Sequence, residues 1–338
     1  MSAPSVTDRP GPLAALGEDW HHFWHSSGPV LSLGLFRIAF AYALFREVSV
    51  TRTRSLFAVE GGFHLPYPYV PSFIHPIPVE AFQLVQTLQY PLILLLGLGL
   101  LMRPAIAGLL ALQGYVFFSD ALTFRNHPYF FLLALLALLF SPAEESVSLV
   151  SVWRMVRVRR WSIETLIGPI RPLTCQRMIM VQVCLVYFLA GLQKINPAFL
   201  NGAVLLVQMN ASSAYWGQAL IAILGNDTGA RIQAMLLSQK TAILASVGTL
   251  ILEMAFPFTL WFRETRAPSL IVGVSFHLAI IIFMRIHDFS FAMIGSYLLF
   301  LEPGTLPALA RRLSGQGRAG PRRQGSGPYR KPAVKTAR

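Results

Sequence analysis

Eight runs of mostly apolar residues set the limits on what this chain can fold into. They cover approximately residues 30–48, 82–101, 104–122, 127–142, 178–196, 241–262, 268–285 and 289–303. A helix needs about 20 residues to cross the hydrocarbon core of a bilayer, so these runs are membrane spans or slightly short ones. They are rich in Leu and Ala and do not alternate, which excludes a β-barrel. Composition agrees: 54% of residues are hydrophobic, 13% are charged and the mean hydropathy is +0.54. Soluble domains carry about 25% charged residues. An ordinary soluble enzyme and a disordered protein are both excluded. The expected fold is an all-α polytopic membrane protein, a bundle of about eight transmembrane helices.

Charge orients the bundle. The chain has 28 Lys+Arg against 15 Asp+Glu, and nine of the basic residues lie between Arg311 and Arg338. Arg154, Arg157, Arg159, Arg160, Arg171 and Arg177 crowd the loop 153–177, Arg263 and Arg266 follow the sixth run, and Arg103 follows the second. With eight spans all of these fall on one side, and the positive-inside rule makes that side cytoplasmic, with both termini inside. Arg52 and Arg54 dissent. The organisation read from this is one membrane domain, 1–303, with an interfacial segment at 1–29, and a basic, disordered cytoplasmic tail at 304–338. The loops 49–81 and 197–240 are long and lie outside. The second contains a semi-apolar stretch, Gly202 to Leu224, read as an interfacial or re-entrant helix. No base-reading motif accompanies the basic tail, so nucleic acid is not an expected partner. Cys175 and Cys184 form neither a disulfide framework nor a zinc spacing. His21, His22 and His25 have a spacing that a metal can use, but the surrounding Trp20, Phe23 and Trp24 read as an interface belt, and no metal is expected.

Ionisable groups inside a span cost about 2.5–3.5 kcal/mol on insertion scales, so they mark candidate function. Arg37 lies near the middle of the first run and Glu253 near the middle of the sixth. The two fit a structural ion pair, and Arg37 equally fits an anionic group on a substrate. Lys194 ends the fifth run on the same helical face as Tyr187, Ala190 and Gly191. Small residues on that face favour close helix packing and turn the lysine inward. A lysine in a low-dielectric pocket has its charged form disfavoured and can act as a base, while one at the rim merely snorkels. His277 lies halfway along the seventh run, and Asn126-His127 opens the fourth, with Asn126 as N-cap and Pro128 in the first turn. The topology places Asn126, His127 and Lys194 on the outer side with His277 deeper. The chain lacks G-x-G-x-x-G, Walker, H-E-x-x-H and G-x-S-x-G motifs, which argues against phosphate-driven pumps and standard soluble chemistry.

Four passages carry a family resemblance: Leu35-Phe36-Arg37-Ile38; Arg125-Asn126-His127-Pro128-Tyr129; Val186-Tyr187-Phe188-Leu189-Ala190-Gly191-Leu192-Gln193-Lys194; and Phe276-His277 with Phe289-Ser290-Phe291-Ala292-Met293. From about Leu33 to Pro303 the chain resembles the horizontally transferred transmembrane (HTTM) family, whose best-known member is vitamin K-dependent gamma-glutamyl carboxylase. The resemblance implies an enzyme in which a lysine deprotonates a reduced quinone, with oxygen and carbon dioxide as co-substrates and a peptide glutamate as acceptor. By motif match Lys194 is the base. Asn126, His127 and His277 are further catalytic candidates, and Arg37 and Tyr187 are assigned to the cofactor, reduced vitamin K or menaquinone. Glu253 is structural or gating. Implied partners are membrane lipids, a small extracytoplasmic peptide and a separate substrate-binding subunit, since the carboxylase's large extracytoplasmic region has no counterpart before the basic tail. A non-catalytic binding, transport or peptide-maturation component of the same fold is the alternative.

Overall fold

The computed structural model describes residues 20–315 except 22, 61–63 and 72; the side chains of 53–60 and 123 are also outside the description. The long helices are α1 (Leu31–Glu60), α2 (Val79–Leu98), α3 (Met102–Ser119), α4 (Asn126–Leu139), α5 (Leu149–Val158), α6 (Thr174–Gln193), α7 (Ala203–Leu224), α8 (Asn226–Leu236), α9 (Gln239–Thr259), α10 (Arg263–Met284), α11 (Asp288–Ser296) and α12 (Thr305–Leu313). One small departure from all-α is an antiparallel pair, β1 (Ser27–Pro29) with β2 (Ile170–Pro172), in register Ser27 to Pro172 and Pro29 to Ile170.

The apolar runs became helices because Leu, Ala and Phe recur on one face at helical spacing. On α1 the fully buried Phe36, Phe40 and Leu44 repeat every four residues. Phe40 meets Phe131 of α4 at a ring separation of 5.3 Å. α1 packs against α2 and α11, and α6 packs against α9. The aromatic segment ahead of α1 docks on the bundle: the Phe23 ring lies 5.4 Å from Trp261 and the Arg177 guanidinium sits over it at 4.9 Å. Residues 1–19 and His22 lie outside the described part, while His21 and His25 stack at 4.3 Å.

Among the described residues four helices are long and apolar enough to cross a membrane: α2, α6, α9 and α10. α4 with Ala143–Val158 adds a fifth if that pair, bent by 70°, is one broken span. This is fewer than the eight expected. α4 has 14 residues and α11 has nine, well below the ~20 that a full crossing takes. α1 is 30 residues long but carries Arg37, Arg46 and Glu47.

α1 continues to Glu60, where the loop 49–81 was expected to begin, while in the stretch 197–240 α7 forms where a helix was expected over Gly202 to Leu224, and α8 follows it. The beginning of the tail is also ordered: α12 covers Thr305–Leu313, and Arg311 grips Glu164 through two hydrogen bonds of 2.6 and 2.9 Å. The tail beyond residue 315 is outside the described residues.

Candidate functional site

The end of α6 is where the candidate chemistry gathers. Gly191 lets α6 close on α9: a Cβ there would lie 2.8 Å from Met254 Sδ and 3.5 Å from the Cβ of Glu253. One turn on, Lys194 Nζ donates to both carboxylate oxygens of Glu253, at 2.8 and 2.6 Å, and lies 3.4 Å from the Ala190 carbonyl oxygen. The lysine therefore points into the bundle, as its helical face predicts. Glu253 is buried, and it sits six residues before the end of α9 at Thr259. The Phe199 ring lies 5.7 Å from Nζ on another side.

The other candidates surround this pair without bonding Lys194 directly. Asn126 Nδ2 donates to Gln193 Oε1 at 3.3 Å, one residue from the lysine. Asn126 is the first residue of α4, with Arg125 in the N-cap position expected for the asparagine. The amide is thereby free to reach across to α6. His127 stacks on Phe289 at 4.3 Å, and the edge of Phe289 lies 6.1 Å from the His277 ring. His277 is buried and its Nε2 lies 2.7 Å from the Tyr187 hydroxyl. That hydroxyl also hydrogen-bonds the hydroxyl of Tyr297. Glu253 is close enough to Tyr187 to act on it electrostatically. The row His127, Phe289, His277, Tyr187 thus leads from the start of α4 to the Lys194–Glu253 pair.

Four residues missed by sequence reasoning, Glu47, Thr51, Arg125 and Asp288, complete this region. Glu47 on α1 is fully buried; it accepts from Arg125 at 2.7 Å and from the Thr51 hydroxyl at 2.9 Å. Arg125 also donates to Thr51 at 2.8 Å. Asp288, which starts α11, lies within electrostatic range of both Glu47 and His127. The signal was available, because Glu47 is an ionisable residue inside the first apolar run, as Arg37 is.

Arg37 is elsewhere. It is fully buried, and its guanidinium donates to the carbonyl oxygens of Ala143 at 2.9 Å and Val147 at 2.7 Å. The pair Arg37–Glu253 does not form, since Glu253 is taken by Lys194. Gly99 makes room for the guanidinium. It ends α2 at a φ of 65°, and a Cβ there would meet Arg37 and lie 2.6 Å from the Cβ of Ser148.

A family model for the HTTM domain matches residues 28–304, most of the chain. The chain belongs to the HTTM family. It is therefore an integral membrane protein of the vitamin K-dependent carboxylase-like family, and the helices α2, α6, α9 and α10 that can cross a membrane all lie within the HTTM match. No solved structure matches the chain.

Proposed function

We propose that this HTTM protein is a cell-membrane enzyme, both termini cytoplasmic, that couples oxidation of a lipid-soluble quinol to modification of a small extracytoplasmic peptide by carboxylation. The observation that carries the reading is the Lys194–Glu253 contact of 2.6 Å inside the bundle. A lysine can serve as a base only when its amine is neutral. Glu253 offers the Lys194 proton an acceptor at hydrogen-bond distance, so the amine can be emptied without water. The neutral Nζ then holds a lone pair ready for a new proton.

The surroundings fit a reduced vitamin K or menaquinone. Phe199 and Phe289 offer aromatic faces, and Asn126, bonded to the residue before the lysine, and His127, stacked on Phe289, offer polar groups. When bound, the quinol supplies an ionisable hydroxyl and the electrons that oxygen takes up. The residues of this chain do the rest: Asn126 and His127 orient, Glu253 holds the proton it has taken from Lys194, and Lys194 accepts the quinol's proton at Nζ. Tyr187 and His277 brace the floor of the site through their 2.7 Å hydrogen bond. Oxygen and carbon dioxide are the co-substrates, and a separate chain that grips the peptide belongs to the same proposal.

A second reading has its own observation. A groove of about 670 Å³ between α1, α2 and α5 is lined by none of these residues. It favours a non-catalytic component that holds lipid or peptide cargo. Purified protein given reduced menaquinone or vitamin K and oxygen, with epoxide read by chromatography, separates the two. Epoxide from the wild type and its loss in Lys194→Ala support the enzyme. Equal epoxide from both proteins overturns the role of Lys194, and none from the wild type, with a glutamate peptide present, favours the cargo reading.

A further inference from the structure

α5 leaves the bundle at an angle. Ala143–Val158 bends by 70° from α4, and a reciprocal cap fixes the new direction: the Ser148 hydroxyl accepts from the Ser151 N–H at 3.1 Å, and Ser151 Oγ accepts from the Ser148 N–H at 3.0 Å. Met155 anchors one face, while Trp153, Val156 and Val158 are exposed. Arg154 and Arg157 are exposed on the same short helix and Arg159 and Arg160 directly after it, and Arg157 lies 5.2 Å over the Trp153 ring. An exposed Trp/Val edge combined with arginines is the composition of a helix lying in a membrane interface.

Two cavities border this helix. One is the groove of about 670 Å³, walled by Ile38 and Phe45 of α1, Ile93 and Leu94 of α2, and Val152 of α5, with Leu94 exposed at its rim. A second cavity, of about 530 Å³, is bordered by Arg154 and Arg160 and by Glu145 and Glu164. Both glutamates are already occupied, Glu145 by Arg171 at 2.8 Å and Glu164 by Arg311 at 2.6 Å. Among the described residues no carboxylate lies within ion-pair distance of Arg154, Arg159 or Arg160. The wall of the carbon-lined groove includes Val152, and Arg154 follows two residues later on the same helix, the first of several arginines whose charge nothing in the described part of the chain balances.

We propose that α5 and this groove form a binding site for an anionic phospholipid of the bilayer, with one acyl chain in the groove and the phosphate at the arginines between Arg154 and Arg160. The groove lies within the size range of ligand pockets, about 300–1,000 Å³. An anionic headgroup supplies the countercharge that the arginines lack. A zwitterionic lipid fills the groove but leaves the charge unanswered.

The test is native mass spectrometry of the full chain released from nanodiscs of equal parts phosphatidylglycerol and phosphatidylcholine. The wild type retains phosphatidylglycerol in excess, and the excess falls by about 10- to 100-fold in R154Q/R157Q/R160Q. V152W fills the groove and lowers retention of both lipids without changing their ratio. Should the triple variant lose its helical circular dichroism, R160Q alone carries the test, with an expected fall of about fivefold. Equal retention of the two lipids by the wild type, an undiminished excess in the arginine variant that folds, or retention by V152W at the wild-type level overturns the site. A quinone retained in place of phospholipid, and displaced by V152W, overturns it too.

Discussion

Arg37 and Arg125 are two cations set among apolar helices, and they are neutralised in opposite ways. Arg37 is held by backbone carbonyl oxygens of Ala143 and Val147, Arg125 by the carboxylate of Glu47 and the hydroxyl of Thr51. A carbonyl can accept a hydrogen bond but does not take up a proton near neutral pH. A carboxylate can. The surroundings of Arg37 therefore have one protonation state, and they suit a clamp that fixes the turn between α4 and α5. The region around Arg125 and Lys194 contains Glu47, Asp288, Glu253 and His127, so protons there have several places to rest. Only one of the two regions obtains the means to move a proton.

Breaking each region should therefore register in a different measurement. The largest effect is expected for Lys194→Ala, which should lower quinol epoxidation by about 10²–10⁴-fold. Its thermal unfolding midpoint in detergent should fall only as far as the buried, now unpaired Glu253 fails to take up a proton, so turnover is compared in protein that remains folded. Arg37→Met should do the reverse. It removes two hydrogen bonds from a charged donor, worth about 1.5 kcal/mol each, and should cost about 3 kcal/mol of stability in denaturant unfolding. The folded fraction of that variant should turn over quinol at the wild-type rate. A loss of turnover in folded Arg37→Met would place the arginine in the chemistry after all. Glu253→Gln is expected to be milder than Lys194→Ala, about 10-fold in rate, because the amide oxygen still accepts from Nζ but no longer takes its proton. Its pH–rate profile should shift, which a purely structural loss would leave in place.

The difference between the regions was only half legible in the sequence. Helix positions were, because apolar spacing is local: the run 178–196 became Thr174–Gln193 and the run 241–262 became Gln239–Thr259. The inward aim of Lys194 was legible too, since Tyr187, Gly191 and Lys194 share a face and Gly191 admits α9. Its partner was not. Which carboxylate a buried cation finds depends on the crossing of two helices 59 residues apart in sequence, and periodicity is silent on that. The sequence alone accordingly paired Glu253 with Arg37 and not with Lys194. Backbone acceptors are harder still to foresee, because every residue has a carbonyl and only the turn at 143–147 aims two of them at one guanidinium. The helical ends of the long loops were missed for another reason. Ser49–Glu60 and Thr305–Leu313 are too polar to register as spans, yet α12 buries Pro307 and extends Arg311 to Glu164.

That last contact gives the smallest effect and the cleanest control, since it lies in neither region. The Arg311 guanidinium, hydrogen-bonded to Glu164, holds its carboxyl below the ordinary glutamate value of 4.5. A carboxyl whose folded pKa is depressed binds its proton more readily in the unfolded chain. Its contribution to stability is therefore complete above the ordinary value and is lost as the pH falls below 4.5 through the lowered folded value. Both side chains are about half exposed, at 44% and 54%, so solvent screening limits the contribution to under about 1 kcal/mol. Arg311→Ala should lower the unfolding midpoint slightly at pH 7 and not at all at the acid end of the window, where the wild type has already lost the pair. Raising the salt to 1 M, where the Debye length is about 3 Å, should erase the difference at pH 7 as well. The Lys194–Glu253 contact, with its carboxylate buried, should resist the same salt, so quinol turnover should survive a treatment that removes the surface pair.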